Sequence, residues 1–241
     1  MNLVVMRLTI RALLGRRRSL LLFGIAGLLL AVAGLVRWGT GASITASAAT
    51  MQNFGLGTLV PVMCLLIGTG VIAPEIEDGS IVYLLAKPIP RRTIAFSKLA
   101  VALGTSLVFT VAAMVAGVAI AGDQDWQLAL GLGTATALAS VAYTAVFFAI
   151  AIVSRNPIIV GLIYALLWEG VLAGYIPGVK DVSIRQWALA PAERILASHP
   201  TWNVASDLTM TPALILLGIA TVAAVVVAVQ RLKTLPIKVS E

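Results

Sequence analysis

Residues 74–98 read PEIEDGSIVYLLAKPIPRRTIAFSK, and this polar segment separates two long apolar runs, Gly55–Ala73 and Leu99–Ala121. The chain has 17 Lys and Arg and 10 Asp and Glu, and seven of these charged residues fall within the 25 positions of this segment. A charge left in hydrocarbon costs several kcal/mol. The segment must therefore face water, where it can meet a soluble partner. Its charged residues are Glu75, Glu77, Asp78, Lys87, Arg91, Arg92 and Lys98.

The composition of the whole chain predicts an all-α membrane protein. The 241 residues are 60% hydrophobic and only 11% charged, whereas a soluble domain has about 25% charged residues. The net charge is +7, but the bases cluster beside apolar runs, so membrane orientation explains them better than a nucleic-acid partner does. The single cysteine, Cys64, lies in an apolar run and excludes an intramolecular disulfide.

Six segments are apolar and long enough to span a bilayer, which needs about 20 residues each. A cleavable signal peptide is disfavoured, because the first apolar run exceeds the usual length of a signal core and further spans follow. If both ends face the cytoplasm, 13 of the 17 Lys and Arg lie inside, which is a strong positive-inside bias. The predicted spans are Ser19–Val36, Gly55–Ala73, Leu99–Ala121, Gln127–Val153, Ile158–Ile176 and Pro212–Gln230.

Residues 1–18 are predicted to form an amphipathic helix on the inner membrane surface. Arg7, Arg11 and Arg18 share one helical face, and Arg16 and Arg17 complete a basic anchor for anionic lipids. The alternative is that this stretch only lengthens the first span. At the other end, residues 231–241 are predicted to form a cytoplasmic tail.

The longest predicted outer segment covers residues 177–211. Trp187 and Trp202 suit the headgroup belt, and Pro191 and Pro200 divide the segment. These features predict two short helices that lie in the outer interface or dip into it. A solvated loop is the alternative.

Several classes of enzyme motif are missing from the sequence. It contains no G-x-x-x-x-G-K-[ST], no G-x-S-x-G and no H-E-x-x-H. One histidine, His199, and one cysteine do not make a metal site. The chain is therefore predicted to be neither an enzyme nor the binding site of a cofactor or metal.

The order of features in residues 74–98 predicts a docking element. Pro74 breaks the second run, acids follow, and Gly79-Ser80 forms a joint. A short apolar piece with Leu84-Leu85 ends at Pro88, and Arg91-Arg92 return the chain to the membrane surface.

This pattern resembles the ABC-2 type permeases, the membrane subunits of one class of ABC transporters. The resemblance covers the whole layout of entry helix, six spans, polar segment and long outer segment. The sequence adds an extra acid, Asp78, and a second proline, Pro90. The matching residues are Glu75, Glu77, Gly79, Ser80, Leu84, Leu85, Pro88, Ile89, Arg91 and Lys98.

The resemblance implies a permease that pairs with a second permease, as a homodimer or with a paralogue, and is driven by two soluble ATPase subunits. Those subunits would bind ATP and Mg, and the segment 74–98 would hold the coupling helix. The implied role is an exporter in a bacterial plasma membrane. Two alternative functions are a permease that relays conformational work to an outer assembly and a membrane scaffold. The alternative for the charges of residues 74–98 is that they serve only solvation and membrane topology.

Glu169 is the ionisable residue within the predicted fifth span. An intramembrane carboxylate is a candidate for function, here on a translocation path for a cation or amine. The sequence is equally compatible with a protonated carboxyl group bonded to a neighbouring helix, or with a position closer to the outer interface.

Overall fold

The computed structural model describes residues 3–13, 15–41, 43–78, 90–121, 125–173, 180–198, 202 and 204–234, and this part of the chain is helical without strands. Twelve of its helical segments, two of them π-helical, position the sites of this protein. They are α1 Leu3–Leu13, α2 Arg16–Thr40, α3 Ile44–Thr50, π1 Met51–Leu59, α4 Val60–Gly70, α5 Ala73–Glu77, α6 Arg91–Ala121, α7 Trp126–Val153, α8 Pro157–Leu162, π2 Ile163–Leu172, α9 Ile184–Ile195 and α10 Met210–Thr234.

Five helices of the described chain are long and apolar enough to cross a membrane. The predicted fifth span, Ile158–Ile176, is represented instead by the shorter apolar helix Pro157–Leu172, so the count of six stays a prediction. The five are Ser19–Thr40, Ile44–Ile76, Arg91–Ala121, Trp126–Val153 and Met210–Leu232.

Two of the predicted boundaries differ from the structure. The second span was predicted to begin at Gly55, but the helix begins at Ile44, because Ser43 caps α3 through a contact of 3.5 Å from the amide of Ala46 and the helix continues into π1. Residues 91–98, expected in the polar segment, form the first turns of α6. In both places polar residues begin a helix that the apolar run then continues.

The N-terminal helix α1 is separate from α2. Gly15 has extended backbone angles between the two helices. Val5, Thr9 and Leu13 are buried, and Arg7 and Arg11 on the other face are exposed, while α1 packs along α6. Arg16–Arg18, predicted to end the surface helix, instead begin α2.

Helix α7 is the centre of the bundle and packs against α4, α6, α9 and α10. Gly68 allows α4 to approach α7 closely, because a Cβ at this position would lie 3.0 Å from the Cβ of Phe147 and 3.0 Å from the carbonyl oxygen of Thr144. Small residues serve such close packing in membranes, where lipid tails are as apolar as the side chains.

The starts of α2, α6 and α8 and the ends of α7 and α10 define what we call the basic end of the bundle. The opposite end is the far end.

Helix α9 lies within the predicted outer segment, and its position in the bundle is unusual. Residues 184–192 are all buried, and the helix packs along α7 and against α10. Near its C-terminus, Nε2 of Gln127 donates to the carbonyl oxygen of Ile195 at 3.3 Å. Its N-terminus lies beside Glu169, deeper in the bundle. Helix α9 is thus neither a solvated loop nor a helix that lies flat on the surface.

Candidate functional site

The first polar site is an ion pair at the basic end, here called the basal ion pair. Lys98 is 1% exposed, and its Nζ donates to Oε1 of Glu75 at 2.5 Å and to the carbonyl oxygen of Val71 at 2.8 Å. Val71 follows the last residue of α4, where carbonyl groups lack intrahelical partners and the helix dipole favours a cation. Lys98 therefore ties the start of α6 to the end of α4.

The side chain of Glu75 is partly exposed, although its carboxyl oxygens are not. Its side chain is 33% exposed, and its Oε2 is buried without a hydrogen-bond partner among the described residues. Asp78 is exposed just after α5, and Pro90 is exposed just before α6. Residues 79–89 are therefore joined to the bundle three residues after Glu75 on one side and eight residues before Lys98 on the other.

The structure separates the other residues that were predicted to couple an ATPase. Nη1 of Arg91 donates to the carbonyl oxygen of Leu232 at 3.3 Å, which ties α6 to α10, while Arg92 is exposed. Glu77 is the last residue of α5. The remaining predicted residues, Gly79, Ser80, Leu84, Leu85, Pro88 and Ile89, lie outside the described residues.

The second site, here called the inner polar cluster, surrounds Glu169 and lies deep in the bundle. The side chain is 0% exposed on π2. Its carboxyl oxygens accept hydrogen bonds from Oγ of Ser183 at 2.5 Å, the amide of Ile184 at 3.0 Å and the hydroxyl of Tyr164 at 3.2 Å. Ser183 is the N-cap of α9, so a negative charge here meets the positive end of the helix dipole.

Arg185 extends the cluster to π1. Its Nη2 donates to Oδ1 of Asn53 at 2.5 Å, and a Cβ on Gly57 would lie 3.0 Å from its Nη1. Arg185 is 8% exposed. The guanidinium therefore holds the N-terminal turn of α9 against π1, while Glu169 holds the same turn against π2.

Two buried polar atoms of the cluster have no hydrogen-bond partner among the described residues. They are Nε of Arg185 and Oε1 of Gln186, while the hydroxyl of Tyr143 on α7 lies close enough to Glu169 to interact with it. Buried polar groups are nearly always paired, so each exception calls for an explanation. The cluster as a whole consists of Asn53, Tyr143, Tyr164, Glu169, Ser183, Arg185 and Gln186.

The sequence pointed to Glu169 but not to its partners. The signal for α9 was nonetheless present, because Ser183 and Gln186 have the S-x-x-Q spacing of a capping box. Asn53 and Tyr143 had no comparable signal, since their role depends on which helices are neighbours. Two of the three donors to the carboxyl group of Glu169, Ser183 and the amide of Ile184, belong to α9, which agrees with the alternative of a carboxyl group bonded to a neighbouring helix.

A comparison with protein families assigns the chain. The family described as ABC-2 family transporter protein matches residues 14–176. The chain belongs to the ABC-2 transporter family. The match includes the basal ion pair and Glu169, and it ends before Ser183 and Arg185.

Membership in the ABC-2 family makes the chain a multi-pass membrane protein and a permease subunit of an ABC transporter. It also implies association with an ABC ATPase subunit. No curated protein matches the chain.

Proposed function

We propose that this ABC-2 permease is the transmembrane subunit of an ATP-driven exporter and works as a dimer with two ATPase subunits. Each ATPase subunit binds ATP and Mg and docks on residues 74–98. The basic end faces the cytoplasm of a bacterium, because 13 of the 17 Lys and Arg lie on that side in this orientation. Both termini are then cytoplasmic.

The observation that carries the proposal is the basal ion pair. A force applied to residues 79–89 reaches the bundle where Lys98 of α6 holds Glu75 and the end of α4. The buried Lys98 makes this joint stiff, since an uncompensated buried charge is strongly unfavourable. Movement of a docked ATPase would therefore move the second and third spans together.

Surface charge supports the docking of a protein on the same segment. Asp78 and Arg92 are exposed on the two sides of residues 79–89, and complementary charges steer association. Arg7 and Arg11 are exposed on α1 and would bind anionic lipids. In this proposal lipid and ATPase contact neighbouring surfaces of the basic end.

The experiment compares two charge-neutralised proteins, each purified from its native membrane with its ATPase. In the first, Glu75→Gln, Glu77→Gln and Asp78→Asn are combined. We expect this protein to retain less ATPase and to stimulate its ATP hydrolysis less in proteoliposomes.

The matched control removes three acids that lie away from the basic end, through Asp181→Asn, Glu193→Gln and Asp207→Asn. We expect its ATPase content and ATP hydrolysis to equal those of the unaltered protein. Equal losses in the two variants, or no loss in either, would contradict docking on residues 74–98.

A further inference from the structure

We propose that Glu169 and Arg185 fasten α9 across the bundle, and that release of this fastening opens the far end during transport. The fastening is a claim about the inner polar cluster alone. Its opening in a transport cycle rests on the proposed function, and the experiment below separates the two.

The position of α9 makes it an obstruction. Its C-terminal end is near the far end, where Nε2 of Gln127 reaches the carbonyl oxygen of Ile195 and Oγ of Ser198, the latter at 2.9 Å. Its N-terminal end lies near Tyr143, which is 17 residues, or about 26 Å of helix, from Trp126 at the start of α7. Helix α9 thus fills the space beside α7 through much of the far half of the bundle.

The attachment of this helix is polar on two sides. Glu169 binds the cap and first amide of α9 from π2, and Asn53 binds Arg185 from π1. A permanent plug needs only apolar contacts, which resist hydration. Polar groups that pair with each other when closed can be hydrated when open, so the transition does not expose a purely apolar wall to water.

The unpartnered atoms indicate a second arrangement. Arg185 and Gln186 each bury a polar atom that has no hydrogen-bond partner within the described part of the chain. A fully satisfied network fixes one structure, whereas a partly satisfied one leaves groups that another packing or water can pair. The cluster therefore has the composition of a two-state element rather than of a static core.

The two π-helical segments supply a means of movement. Asn53 lies on π1 and Glu169 lies on π2, and these segments contact each other. A π-turn holds one more residue than an α-turn, and such turns occur mostly at functional sites. Conversion of either segment to α-helix would rotate Asn53 or Glu169 away from α9.

The experiment measures access of a water-soluble maleimide to α9. The native cysteine is removed by Cys64→Ala, and Ala188→Cys places a reporter at a residue that is 0% exposed on α9. In the purified resting protein, Glu169→Gln should raise the labelling rate at least about tenfold, because hydrogen bonds to a charged group contribute that factor or more to an equilibrium. An unchanged rate would overturn the fastening.

The matched control is Glu193→Gln on the same helix. Oε2 of Glu193 accepts a hydrogen bond from the amide of Ser206 at 3.1 Å and belongs to no part of the cluster. Its labelling rate should stay within about twofold of the unaltered protein, as for substitutions away from buried networks. An equal increase in the two variants would mean that any lost carboxylate loosens α9, and it would also overturn the proposal.

A second variant should lower the labelling rate instead of raising it. Asn53→Asp places a carboxylate against Arg185, so it should slow the labelling of Ala188→Cys. If Glu169→Gln fails to fold, the labelling rate of Asn53→Asp still tests whether the inner polar cluster fastens α9. Unchanged or faster labelling in Asn53→Asp would contradict the role of Arg185.

The transport step is tested in the complex with its ATPase. Trapping with ATP and vanadate should raise labelling of Ala188→Cys in the otherwise unaltered protein. Equal labelling in the resting and trapped complexes would overturn the opening, while the resting-state rates still decide the fastening. If no ATPase co-purifies, the proposed function fails, and the opening that rests on it fails with it.

Discussion

The basal ion pair and the inner polar cluster each hold a carboxylate between helices that are distant in sequence, but they bind it differently. Glu75 meets a buried ammonium group and is 33% exposed. Glu169 is 0% exposed and meets two hydroxyl groups and an amide, while Arg185 bonds to an amide oxygen instead. The difference indicates that the basal pair is a joint near water and the inner cluster is a closure within the bundle.

The largest expected effect comes from Glu169→Ala. The change leaves Ser183, Tyr164 and the amide of Ile184 without their acceptor, and each buried donor left unpaired costs about 1–3 kcal/mol. Thermal unfolding of the purified protein in detergent measures the loss. Glu193→Ala on α9 should cost only about 1 kcal/mol, because the single hydrogen bond from the amide of Ser206 is lost. Similar losses in the two proteins would show that Glu169 in the inner polar cluster stabilises the fold no more than a carboxylate outside the cluster.

Lys98→Met should have a smaller effect, about 2 kcal/mol, because the carboxyl group of Glu75 can turn to water when its partner is lost. The same unfolding measurement applies. Combination with Glu75→Gln should recover part of the loss, since the unpaired carboxylate is then also removed. A loss as large as that of Glu169→Ala would show that the basal pair is as enclosed as the inner cluster.

Gly68→Ala tests the packing that lies between the two sites. The added methyl group would stand 3.0 Å from the Cβ of Phe147 and from the carbonyl oxygen of Thr144, so we expect a loss of about 1–2 kcal/mol from overpacking. Gly104→Ala is the control, because a Cβ there meets nothing within 4 Å. Equal stabilities of the two variants would show that α4 and α7 have room to separate.

Arg11→Gln should have the smallest effect on stability, less than about 0.5 kcal/mol, because its side chain is exposed on α1. Its effect should appear in lipid binding, where each surface base contributes about 1 kcal/mol toward an anionic bilayer. Flotation with vesicles that contain or lack anionic lipid measures this contribution for the purified protein. A clear loss of stability with unchanged lipid dependence would contradict the surface role.

The sequence was sufficient to predict an all-helical membrane protein and the family, because apolar length and the motif of residues 74–98 are local properties. It also singled out Glu75, Lys98 and Glu169, since charges beside or within apolar runs are few. It placed Glu75 and Lys98 in one docking segment, whereas the structure puts Lys98 on α6, with its side chain turned to the end of α4. The partners of Glu169 depended on a helix that begins in the middle of the predicted outer segment.

Residues 44–54 show why the boundaries were less accurate. Their small and polar side chains resemble a loop, yet Ser47 is buried and its Oγ donates to the carbonyl oxygen of Ala121 at 2.7 Å. Packing against the end of α6 compensates for weak local apolarity. Pro61 lacks an amide hydrogen, so the helix before it loses a regular α-helical bond, and π1 occupies that position.

If an ATPase docked on residues 74–98 drives the opening of α9, movement at the basal ion pair must reach α9 through the bundle. Labelling of Ala188→Cys on a Cys64→Ala background can be compared in ATPase complexes with and without Lys98→Met, at rest and after trapping with ATP and vanadate. We expect trapping to raise labelling in the protein with Lys98 and to leave it unchanged with Lys98→Met, although both complexes hydrolyse ATP. An equal rise in the two complexes would show that the basal ion pair does not transmit the movement.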